Sequence, residues 1–147
     1  MADKVKFELV SPEKILLSEA VEMVVIPGSE GNFGVLPGHA PLISSVRPGT
    51  IEVYEGTHVA ERIFIAGGFA EVTPERCTVL ADDAVTVSSL DRAAVEAELA
   101  QATQQYGEAL SAAERGSDAD KLRFKAAVRE LAVATAKHQA IEAPARH

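Results

Sequence analysis

Apolar and polar residues alternate at the start of the chain. Val5, Phe7 and Leu9 are separated by Lys6 and Glu8, the two-residue period of a strand with one buried face. Short apolar or alternating runs recur at 21–26, 42–46, 50–54, 59–65, 69–72, 78–81 and 85–87. Between them lie Pro27-Gly28, Pro37-Gly38, Pro48-Gly49, Glu55-Gly56, Gly67-Gly68 and Pro74-Glu75, pairs that turn or break a strand. Strand signals spaced so closely, with no helical window between them, predict an antiparallel β-sandwich or barrel.

Near residue 90 the period changes. Val95, Leu99, Ala102, Tyr106, Leu110 and Ala113 recur at spacings of three and four, one face of a helix. Asp91 is placed to cap its start, and Leu90 and Val95 stand in staple positions. Gly116 marks the stop and Ser117-Asp118 a second cap. Phe124, Val128, Leu131, Thr135 and His138 form the second stripe. The pattern predicts helices over 91–115 and 118–141, joined as an antiparallel hairpin. Ala dominates the seam, and a buried methyl contributes only about 0.8 kcal/mol against about 1.5–3 for a leucine. Persistent helices with weak docking suit an arm that can swing away; a fixed helical cap is the alternative.

Composition places the boundary. Residues 1–84 hold eight of the ten Gly and six of the seven Pro but only 8 Ala, while the remainder holds 17 Ala, two Gly and one Pro. The net charge of −8 divides as 6 − 13 = −7 before residue 85 and 8 − 9 = −1 after it. The reading is therefore a β + α chain, with a β-domain over 1–86 and a helical domain over 87–147. Excess acid without a basic run excludes nucleic acid as the main partner. No apolar run approaches the roughly 20 residues of a membrane span, and the N-terminus lacks a leader pattern. Direct membrane insertion and export are not expected. The single Cys77 cannot form an internal disulfide, which fits a reducing compartment.

Catalytic motifs are missing. There is no phosphate-binding Gly-x-x-x-x-Gly-Lys loop, no His-Glu-x-x-His, no paired Cys and no Gly-x-Ser-x-Gly. The four His, at 39, 58, 138 and 147, are scattered, so no metal or other cofactor is expected. Cys77 reads as a small packed hydrophobe rather than an activated thiol, and His138 as a seam residue. Gly67-Gly68 reads as a bulge or tight turn. The carboxylates Glu52, Glu55, Glu61, Glu71, Glu75, Asp82 and Asp83 read mostly as a solvated face.

One segment is unusually constrained. From Pro27 to Pro41 there are four glycines and three prolines in fifteen residues, which fix the backbone and leave little freedom to lose on binding. Glu30, Asn32 and Phe33 would stand at a rigid tip. A long hairpin-plus-crossover in a sandwich and a preformed interaction edge both fit.

The run Gly28-Ser-Glu-Gly-Asn-Phe-Gly-Val-Leu-Pro-Gly-His-Ala-Pro-Leu42 closely resembles the signature of the epsilon subunit of F-type ATP synthases. The agreement continues through Val46-Arg-Pro-Gly49, Ile65-Ala-Gly-Gly-Phe-Ala-Glu-Val72 and Val79-Leu-Ala-Asp82, in order and in register. The mitochondrial equivalent, termed delta, shares the pattern; the missing transit peptide favours the bacterial type. The resemblance implies an N-terminal ten-stranded antiparallel β-sandwich and a C-terminal two-helix hairpin. It implies a non-catalytic rotor-stalk subunit whose sandwich packs on the gamma subunit and the c-ring, at the cytoplasmic face of the bacterial inner membrane. Carried onto this sequence, Glu30, Gly31, Asn32 and Phe33 become c-ring contacts. Pro37, Gly38, His39, Ala40 and Pro41 become gamma or stalk contacts. A small β-sandwich adaptor, or a metabolite-binding protein with a helical arm, is the alternative.

The helical part departs from the family pattern. In members that bind ATP, a hydrophobic residue and Asp precede Arg-Ala at the third and fourth positions after the Asp. Leu90-Asp91 fits, but Ala94-Val95 occupy those positions and Arg92 is displaced. Two basic residues four apart are expected on the second helix, where Val133 and Lys137 stand. Phosphates need cationic donors, so weak or absent ATP binding is expected. In many bacterial members the hairpin opens, inserts beside gamma and blocks ATP hydrolysis through contacts with the alpha and beta catalytic subunits. Asp91, Arg123, Arg129 and Lys137 are the candidate regulatory residues here. Lys121 and Lys125 add basic charge, and intrahelical or surface pairing with Asp118, Asp120 and Glu130 is the alternative role for such cations.

Overall fold

The computed structural model describes residues 3–143; the outermost ends of both domain ranges, and His147, lie outside them. Two compact units divide between Ser89 and Leu90. The first holds β1 (Val5–Val10), β2 (Ile15–Val21), β3 (Met23–Gly28), β4 (Gly31–Val35), β5 (Leu42–Val46), β6 (Gly49–Glu55), β7 (His58–Ile65), β8 (Gly68–Val72), β9 (Arg76–Ala81) and β10 (Ala84–Thr86), and ends in a single 3-10 turn, Val87–Ser89. The strands form one curled sheet in the order β10-β7-β6-β3-β5-β8-β9-β1-β2, with β4 on β3.

Nine of the ten strands supply side chains to one core, whose largest fully buried members include Phe7, Leu9, Ile26, Ile51 and Ile65. β3 joins the two layers because it changes neighbours along its length. Met23–Val25 pair with β6, whereas Gly28 pairs with Val46 of β5. The change falls at Pro27, which is fully buried and has no N–H to give a ladder. Cys77 is buried, and burial pushes its thiol up to about 12, so it packs as a small hydrophobe.

Several sequence expectations need correction. β2 and β4 carry no alternating signal and were not predicted as separate strands. β1 runs parallel to β9, so the sheet is mostly rather than wholly antiparallel. Glu52 is buried rather than solvated. Gly68 opens β8 at a close backbone approach, where a Cβ would meet the Leu80 carbonyl oxygen at 1.9 Å.

The second unit contains α1 (Arg92–Ala113) and α2 (Asp118–Glu142). Asp91 caps α1 by accepting from the Ala94 N–H at 2.9 Å, and Ser117 caps α2 through the Asp120 N–H at 3.0 Å. Val95, Ala102 and Ala109 are buried on α1, and Ala127 and Ala134 on α2. Leu110 and Val128, expected in the stripes, are 41% and 43% exposed. These five buried positions are seven apart along each helix, the repeat of two helices wound about each other, and Ala112, Ala136 and Ala140 are buried beside them. Small alanines occupy the seam and displace the larger side chains to its flanks. Tyr106 and Phe124 add one tilted ring contact at 5.6 Å.

Candidate partner-docking sites

The first part of the constrained segment closes a β-hairpin. β3 and β4 pair from Val24↔Val35 to Gly28↔Gly31, leaving Ser29 and Glu30 as the turn. Glu30, Gly31 and Asn32 are exposed there. Phe33 is not a free tip residue. Its ring packs against the core and covers Gly28, where a Cβ would stand 2.9 Å from it.

What holds this tip is Arg47, to which the sequence reading gave no role. Its guanidinium donates to the Gly28 carbonyl at 2.5 Å and to Asn32 Oδ1 at 2.6 Å. Its own N–H donates to the Pro27 carbonyl at 2.9 Å, and the Ser29 N–H donates to Ser45 at 3.0 Å. Charge-assisted bonds of this kind are the strong ones. The tip is therefore pinned to the end of β5, and Asn32 is oriented before any partner arrives. The one sequence signal was Arg47's place between the end of a strand and Pro48-Gly49.

The second candidate patch is separate from the first. Pro37 to Pro41 lies at the other end of β4, a five-residue strand that spans roughly 17 Å. Gly38 donates to the Pro74 carbonyl at 2.8 Å, and His39 Nδ1 lies 2.7 Å from the Ala40 carbonyl oxygen. Ala40 and Pro41 are exposed, and Pro37 and His39 partly so.

The sheet also carries an apolar row that the sequence did not announce. Phe69 on β8 pairs with Leu80 on β9, which neighbours Val10 on β1, which pairs with Ile15 on β2. Phe69 and Ile15 are 59% and 61% exposed, and Ile43 of β5 is 74% exposed. Exposed apolar side chains aligned across four strands mark a surface suited to another protein.

On the hairpin, the regulatory candidates are engaged within the unit. Asp91 is a cap, Arg123 meets Glu108 at 3.5 Å, and Lys137 meets Glu98 at 3.1 Å. The pairs link the two helices instead of lying within one. Arg129 lines an open groove with Glu98, Gln105, Glu130 and Val133, and it too is engaged in an interaction. Ala94 contributes its N–H to the Asp91 cap, and Val133 is half-buried on α2. Glu96, His138 and Glu142 bring possible metal-ligand atoms within 4.8 Å of one another, but the Arg92 guanidinium pairs with both carboxylates. That guanidinium holds the Glu142 carboxyl below the usual carboxylate range.

The family described as "ATP synthase, Delta/Epsilon chain, beta-sandwich domain" matches residues 4–87. This chain belongs to that family. Its similarity extends beyond the sandwich: it is 57% identical over 119 residues to the ATP synthase epsilon chain of Rhodospirillum rubrum, covering 81% of this chain and 89% of the relative. With the ATP synthase epsilon chain of Maricaulis maris it shares 41% identity over 147 residues and the full length of both. In fold it is similar to a chain of the Euglena gracilis mitochondrial ATP synthase, with a TM-score of 0.70 at 24% identity, covering 90% of this chain and 80% of that one. A chain from the central stalk and c-ring of the Tetrahymena thermophila enzyme gives 0.57 at 18% identity, covering 92% and 97%. An epsilon-type chain is a stalk subunit of ATP synthase and not itself an enzyme. Among the described residues no helix is long and apolar enough to cross a membrane.

Proposed function

We propose that this chain is a rotor subunit of the central stalk, coupling proton-driven rotation of the c-ring to ATP synthesis in the catalytic head. The tip Glu30-Gly31-Asn32 meets polar loops of the c-ring, and the segment from Pro37 to Pro41 lies against gamma. Phe33 supports the tip from behind. The exposed row through Phe69, Leu80 and Ile15 supplies apolar docking area for a stalk partner. On this reading the chain is peripheral, held through the complex at the cytoplasmic face of the bacterial inner membrane.

The observation that carries this reading is the Arg47 clamp. It orders an exposed hairpin tip that serves no packing purpose of its own, as preorganised binding requires. An adaptor could use such a tip, but a metabolite-binding protein would need polar groups converging in an enclosed pocket. Co-purification with gamma from a reconstituted stalk tests the proposal. The full chain is expected to associate, and Arg47→Ala to weaken incorporation into the stalk and c-ring assembly. Failure of the parent chain to associate with gamma would overturn it.

The hairpin acts as a regulatory arm that opens to inhibit ATP hydrolysis through the alpha and beta subunits. Arg123 and Lys137 would exchange their present partners, Glu108 and Glu98, for acidic groups on those subunits. With Ala94 and Val133 in the cationic positions, ATP does not hold the arm closed. A calorimetric titration of the full chain with ATP at micromolar concentration is expected to show no saturable heat.

A further inference from the structure

The two ends that meet at the open side of the hairpin carry the wrong charges for their own helices. A helix N-terminus favours acids and a C-terminus favours bases. α1 has no acidic residue in its first turn and begins with Arg92; α2 has no basic residue in its last turn and ends with Glu142. Asp91 offsets part of this at α1, where it caps the Ala94 N–H. Among the described residues nothing comparable stands at the end of α2.

In the closed hairpin each mismatch corrects the other. Arg92 Nη1 donates to Glu142 Oε1, and Nη2 donates to the Ile141 carbonyl oxygen at 3.3 Å. The same guanidinium lies 3.8 Å from Glu96, and His138 Nε2 lies 3.7 Å from Glu142 Oε1. Arg92 thus supplies α2 with the C-terminal cation that α2 lacks, and Glu142 supplies α1 with an acid. We propose that Arg92 and Glu142 form a helix-end latch that sets how often the hairpin opens, because opening returns each charge to the wrong end of a helix dipole. The latch rests on the regulatory reading of the hairpin, and it explains how an alanine-rich seam can stay shut without a bound ligand. Arg92 and Glu142 are exposed, so salt weakens the latch.

The test uses the full chain with spin labels at Ala100→Cys and Ala132→Cys, both exposed positions. Cys77 is buried and does not compete for label. Arg92→Ala and Glu142→Gln should each raise the long-distance fraction about three- to fivefold, the scale of one exposed ion pair within a network. Raised ionic strength should do the same to the parent. The charge exchange, Arg92→Glu with Glu142→Arg, separates a latch from a plain ion pair. It restores attraction but puts both charges at favourable helix ends, so it should leave the hairpin more open than the parent. Full restoration of the closed state by the exchange would overturn the helix-end account. An unchanged distance in both single variants would overturn the latch altogether. Hydrolysis by the assembled enzyme is measured in parallel: a more open hairpin with unchanged hydrolysis removes the regulatory reading and leaves the latch standing.

Discussion

The sandwich and the hairpin solve the same problem with different materials. The sandwich buries Phe7, Leu9, Ile26, Ile51 and Ile65 in one core fed by nine strands. The hairpin buries mainly alanines and ties its helices with exposed pairs, Arg92–Glu142, Lys137–Glu98 and Arg123–Glu108. Exposed pairs are screened by solvent and hold only weakly, whereas a buried leucine or phenylalanine contributes about 1.5–3 kcal/mol. The first unit is built to hold a surface in one shape. The second is built to keep its helices but release their contact.

Core substitutions should show the difference most strongly. Phe7→Ala is expected to destabilise the sandwich by about 3–5 kcal/mol, read as a lowered denaturant midpoint. A sandwich that tolerates this change would not be the rigid half of the molecule. Within the hairpin the order of effects inverts ordinary intuition about residue size. Ala109→Leu overfills a fully buried seam position and should cost about 1–3 kcal/mol of hairpin closure. Leu110→Ala, one residue on, should change it by no more than about 0.5 kcal/mol. Hydrogen exchange along α1 and α2 distinguishes the two, and equal effects would mean the seam follows the larger side chains after all.

A smaller effect lies at the edge of the sandwich. Glu19 of β2 faces Glu61 of β7, and one of its carboxyl oxygens is buried without a hydrogen-bond partner. Burial first, then the hydrogen bond and charge of Glu61, raise its pKa above the ordinary carboxylate value. A raised folded value means that the folded state holds the proton longer than the unfolded one. Stability therefore falls as pH climbs from the unfolded carboxylate value through the raised one. Glu19→Gln should be more stable than the parent at neutral pH and should lose that part of the pH dependence. Melting curves across this range check it, and parallel curves for parent and variant would contradict it. An inward-facing acid on an edge strand also discourages pairing with a second copy, which accounts for a residue that costs stability where it stands.

Much of this was legible in the sequence, and the misses have specific causes. Alternation located β1, and turn pairs bracketed most of the others. β4 was hidden because Gly31 and Gly34 look like turn residues even when paired with β3. β2 was hidden because Ile15-Leu16-Leu17 is an unbroken apolar run without alternation, which the sheet accommodates by a register shift opposite Val10. The parallel pairing of β1 with β9 joins segments that are distant in sequence, and no local pattern encodes it. The motif containing Arg47 was visible, but its role depends on the end of β5 lying beside β3. On the hairpin, counting large side chains drew the stripe through Leu110 and Val128, because alanine gives a weak periodic signal even where it forms the contact.

The most direct test of a fixed docking module carrying a releasable arm is hydrolysis by the assembled ATP synthase after deletion of residues 89–147. The account predicts that the remaining sandwich stays bound in the complex and that ATP hydrolysis rises. A sandwich lost from the complex, or hydrolysis unchanged with the sandwich still bound, would contradict it.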